Sequence, residues 1–160
     1  MLRSWLLSIA ALVLFAGLAE ANGPATDALS ILKTLRAMTT ARPTHGEYYG
    51  RVAYAKSRVD VLAARVSDKA LASALTSAMR FYYVAADIWT EMLQGAGSHV
   101  QSRERADDVR AVIQNSAEDC LPLTRLRSAS DDELLTGALS AAWSCAADKT
   151  SEAEKLLGNP

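Results

Sequence analysis

Apolar residues in this chain recur in steps of three and four, the spacing of helices with one buried face, and no stretch alternates as a half-buried strand would. Ala28, Ile31, Leu32, Leu35 and Met38 predict a first helix from about Thr26 to Thr39. Ala41-Arg42-Pro43 ends it, because the residue before a proline is pushed out of the helical region. Thr44-His45-Gly46-Glu47 then matches a capping box, in which Thr44 and Glu47 satisfy each other's free amides. Behind it, Tyr48, Val52, Ala55, Val59, Leu62 and Val66 form one stripe along a second helix ending near Val66. Ser67-Asp68 breaks the chain and offers a new N-cap. The third helix, to about Gln94, carries two stripes. Leu71, Leu75, Ala78, Tyr82, Ala85, Trp89 and Met92 form one, and Ala74, Phe81, Val84 and Ile88 form the other. A face that wide suits a central helix touching several neighbours.

The remaining pattern is more polar. Ser98 to Gln101 reads as a second capping box opening a fourth helix, with Ala106, Val109, Ile113, Ala117 and Cys120 as its buried positions and Pro122 as its end. Ser130 to Glu133 is a third capping box, followed by Leu135, Ala138, Leu139, Ala142, Trp143 and Ala146 on one face. Ser151 to Leu157 either continues that helix or forms a separate last turn, with Gly158 as the C-cap. The break at Ser67-Asp68 is too short for anything but an antiparallel pair, which sets Tyr48 against the Ala85–Trp89 turn and His45 near Trp89. The expected fold is all-α: an antiparallel up-and-down bundle of four to five helices with one disulfide.

One apolar run does not fit this scheme. Trp5 to Leu18, behind Arg3 and ahead of Ala19-Glu20-Ala21, has the three parts of a secretory signal peptide. It falls short of the roughly 20 apolar residues that a spanning helix needs. Residues 1–21 are therefore read as a leader cleaved after Ala21, and 22–160 as a single helical-bundle domain with no stable membrane anchor. Cys120 and Cys145 agree with export, since an isolated pair of thiols in an oxidising compartment becomes a disulfide. No C-x-x-C motif argues for redox or haem chemistry instead.

Composition narrows the function by exclusion. With 17 basic and 18 acidic residues the net charge is −1, which excludes nucleic-acid binding through a net positive field. Half the residues are hydrophobic, which excludes a disordered chain. The two histidines, His45 and His99, each follow a helix cap, and no H-x-x-x-H, H-E-x-x-H or E-x-x-H spacing supports zinc or di-iron. Asp107-Asp108, Glu118-Asp119 and Asp131-Asp132 read as solvated faces or helix first turns rather than paired catalytic acids. No catalytic residue, metal or cofactor is expected.

Aromatic residues are the one concentration that asks for a function. Tyr48, Tyr49, Tyr54, Phe81, Tyr82, Tyr83 and Trp89 all lie in the second and third helices. Tyr48, Tyr82 and Trp89 follow the core stripes, whereas Tyr49, Phe81 and Tyr83 step off them and cannot all face one two-helix seam. The candidate binding patch is Tyr49, Phe81 and Tyr83, bordered by Arg51, Arg80 and Trp89. The stretch from Tyr48 to Leu93, with Tyr-Gly-Arg at its start and Asp-Ile-Trp near its end, resembles exported helical proteins of bacteria; no activity comes with that likeness. The expectation is an exported, periplasmic or extracellular, non-enzymatic protein of the bacterial cell envelope that binds or scaffolds a protein partner through this hairpin. Its alternatives are a small-ligand or haem carrier with an interhelical pocket, using Met38 and a histidine, and a secreted inhibitor of an enzyme.

Overall fold

The computed structural model describes residues 23–94, 99–116 and 118–158, with backbone alone at 99–102. The expected leader, the Ser98 capping box, Ala117 and the His99 side chain lie outside the described residues. What is described is all-helical: α1 (23–40), α2 (His45–Ala63), α3 (Lys69–Leu93), α4 (His99–Ser116), α5 (Leu121–Leu126) and α6 (Asp131–Gly158). No helix among the described residues is long and apolar enough to cross a membrane.

The caps form where the residue types demand them. Thr44 Oγ1 accepts from the Glu47 amide at 3.3 Å, and the Thr44 amide donates to the Glu47 carboxylate at 2.9 Å. Ser130 and Glu133 repeat the exchange at 3.4 and 3.1 Å in front of α6. Asp68 caps α3 by accepting from the Ala70 and Leu71 amides. Between α1 and α2 the chain reverses at Arg42, whose φ of 53° is left-handed and rare for a side chain of that size. Pro43 behind it keeps α1 from continuing.

α3 is the hub, packing against α2, α4 and α6. Its two stripes are buried as the pattern predicts, from Leu71 through Phe81 and Tyr82 to Ile88, with Met79 and Ala86 added. Each large apolar side chain so enclosed contributes about 1.5–3 kcal/mol. α2 runs back along it, so that His45 meets Thr90 and Tyr48 donates to the Tyr82 carbonyl at 3.0 Å. α6 crosses behind α3 and also receives α1 through Lys33–Glu154 at 2.9 Å and Arg36–Ser151 at 3.2 Å.

The second half departs from the expected boundaries. Cys120 is not on the buried face of α4, which ends at Ser116; it is the N-cap of a separate short helix, α5, its sulfur facing the Leu123 amide at 3.4 Å. Pro122 does not end α4, whose last residue is Ser116; it lies in the first turn of α5, where a missing N–H costs nothing, and so opens a helix. Cys120 and Cys145 are paired, their Cα atoms 5.7 Å apart, within the range a disulfide requires. Residues 151–157 continue α6 unbroken, and Gly158 is its last helical residue rather than a cap.

Candidate functional site

Helical geometry sorts the expected patch into three places. Phe81 leaves it altogether: it is 0% exposed and packed in the core. The reason is angular. Phe81 and Tyr83 are separated by roughly 200° around α3, so when one faces solvent the other faces inward. Arg51 also leaves, standing roughly 200° around α2 from Tyr49, on the opposite side of that helix. Trp89 is half-buried and belongs to the interior. Tyr49 (41% exposed), half-buried Tyr83 and exposed Arg80 remain on the outer side.

The interior end is a chain of ring contacts. Tyr48 meets Trp89 at 5.6 Å between centroids and Trp143 at 5.7 Å, and the two tryptophans meet edge-on at 5.8 Å. His45 sits 5.7 Å from Trp89 and 5.9 Å from Tyr49, as the antiparallel pairing predicts for Trp89. The Thr90 hydroxyl spends its proton on the Ala86 carbonyl at 2.8 Å. It therefore accepts from His45 at 3.0 Å, which assigns the proton of a neutral imidazole to Nε2. Burial pushes the Tyr48 phenol above its usual range, opposed by the neighbouring Trp143 indole. Among the described residues, no partner stands in hydrogen-bond geometry to the buried Trp143 Nε1 or the Tyr82 hydroxyl. Trp143 is the member that sequence reasoning did not bring here. Its place on the Leu139–Ala146 face was visible, but which helix that face would meet was not.

The outer side is built differently. α2 and α4 flank α3 without closing over it, leaving Thr76, Arg80, Tyr83 and Asp87 in a row at steps of four, three and four. Two adjoining hollows follow this row. One, about 640 Å³, lies against Ala63, Ala64, Ala72, Ser73 and Ser77; the other, about 300 Å³, reaches Tyr83, Asp87 and, from α4, Ser116. Lys56, Asp60 and Thr76 are common to both.

Charges along this groove are unevenly matched. Lys56 bonds Asp60 at 2.6 Å and stands 6.0 Å over the Tyr83 ring. Arg80 lies 5.0 Å over the Phe81 ring and 3.5 Å from Asp119. Asp87 and Glu91, one turn apart, have no cation partner among the described residues. Burial, then the Glu91 charge, raises the Asp87 carboxyl above its usual range. The Tyr83 phenol is raised in turn, first by Asp87 and then by Tyr49.

Among the described residues no group of three His, Cys, Asp or Glu side chains is placed to hold a metal ion. The chain matches no family model, no curated protein and no solved structure.

Proposed function

We propose that this chain is an exported, non-enzymatic protein of the bacterial cell envelope that binds a protein partner through the α2–α3 hairpin. In this reading residues 1–21 are a cleaved leader, 22–160 are one domain, and the helices form an antiparallel up-and-down bundle around α3. The paired cysteines are compatible with an oxidising compartment, and the two half-exposed tyrosines with recognition.

One observation carries the reading: Tyr49 from α2 stands next to Tyr83 from α3, and Tyr83 lines a groove that no other helix covers among the described residues. Tyrosines with an apolar ring and a wet hydroxyl are enriched where proteins bind proteins. The carrier alternative would seat its ligand between helices, and at the aromatic end that space is filled by Tyr48, Trp89 and Trp143. The test is recovery of envelope proteins by the tagged chain from residue 22 onward, with and without Tyr49→Ala and Tyr83→Ala. A partner lost from both variants, each still helical by circular dichroism, is the expected result. Equal recovery would remove the hairpin as the binding surface.

A further inference from the structure

Charges on the outer face of α3 cancel in pairs except at one end. Lys56 is met by Asp60 and Arg80 by Asp119, whereas Asp87 and Glu91 have no cation partner among the described residues. Both surplus charges are negative, and Asp87 lies at the mouth of the 300 Å³ hollow beside Tyr83. The Tyr83 ring already has one ammonium, that of Lys56, over its face. A ring and two unmatched carboxylates together favour a cation over a neutral or anionic group: the ring through its quadrupole, the carboxylates through charge-assisted hydrogen bonds. The groove beyond is lined by small and polar side chains, which leave room for extended backbone.

We infer that the α2–α3–α4 groove receives a basic segment of the partner protein, with an arginine or lysine side chain seated between Tyr83, Asp87 and Glu91. This rests on the proposed binding role and adds the chemistry of what is bound. The remaining acidic pair on α4, Asp107-Asp108, lacks the aromatic wall, and Asp107 already pairs with Arg110 at 3.2 Å. It serves as an internal control.

The experiment is an NMR titration of the isotope-labelled chain from residue 22 onward. The probes are a capped nine-residue Gly/Ser peptide carrying three arginines and the same peptide carrying three glutamates. The arginine peptide should shift amide signals of residues 80–91 saturably at low salt, and the glutamate peptide should not. The double variant Asp87→Asn/Glu91→Gln should weaken the arginine peptide about fivefold or more, while Asp107→Asn/Asp108→Asn leaves it unchanged. Shifts that are absent, centred on α4, or unaffected by the Asp87/Glu91 change would overturn the inference. The two proposals fail separately. If Tyr49→Ala and Tyr83→Ala lose the envelope partner but Asp87→Asn/Glu91→Gln keeps it, protein binding stands and the basic segment falls.

Discussion

Two faces of α3 follow opposite rules of construction. On the inner face Phe81, Tyr82 and Ile88 are sealed against neighbouring helices, and even the Tyr48 hydroxyl is directed to a backbone carbonyl. On the outer face Thr76, Arg80, Tyr83 and Asp87 keep water contact, and their charges are balanced only in part. Phe81 and Tyr83 are two residues apart, similar in size, and on opposite sides of this divide. The lesson is that an aromatic residue says little until its angle around the helix is known. The inner face supports the fold, and the outer face is where a sequence can afford to specialise.

The contrast is sharpest in substitution. Phe81→Ala should cost about 3–5 kcal/mol in a urea titration, because the site is enclosed and leaves a cavity. Tyr83→Ala should stay within about 1 kcal/mol in the same measurement. Comparable losses at the two positions would erase the distinction between the faces. Next in size comes the bridge: replacing Cys120 and Cys145 by Ala should cost about 3–4 kcal/mol in the chain-entropy account of a loop with sequence separation 25. A smaller change, about 1 kcal/mol, is expected from Thr44→Ala, which removes the side-chain half of the α2 cap.

The smallest effects concern pH and have opposite signs. Hydrogen bonds from Thr44 hold the Glu47 carboxyl below its ordinary value of 4.5. Its contribution is complete above that value and is lost as the pH falls through the lower, folded one. Asp87 is raised above 3.8 by burial, so its ionised form is disfavoured in the folded state. Acidification through its folded value relieves that cost, and the relief is complete by 3.8. Asp87→Asn should therefore be neutral or slightly stabilising at pH 7, within about 0.5 kcal/mol by thermal melting. A clear loss of stability would mean that the carboxylate has a structural partner and is not held for a ligand.

Much of the inner face was legible in the sequence. The 48-52-55-59 and 71-75-78-82-85 stripes are local periodicities, and the Thr44, Asp68 and Ser130 caps depend on neighbours within three residues. The His45–Trp89 contact was reachable because a short break fixes the pairing of α2 and α3. What escaped depends on distant packing. Phe81 was expected in the patch because it leaves the first stripe, yet the second stripe it belongs to is buried by other helices. Arg51 is only two residues from Tyr49, but that step crosses a helix and puts it on the opposite side. α5 has six residues, too few to show a period, and it turned an expected α4 core position, Cys120, into a cap. Trp143 joined the aromatic end through the way α6 crosses α3, which no local pattern encodes.

Trp89 and Trp143 are the only tryptophans beyond residue 21, and their rings touch at 79° to one another. Tryptophan fluorescence from the chain beyond residue 21 is thus a reporter of one junction, where α3 and α6 meet Tyr48. Loosening of α4 and α5 would leave the emission unchanged while lowering the far-ultraviolet ellipticity. Should the two optical signals melt at different temperatures, the gap between them would measure how independently that half of the molecule comes apart.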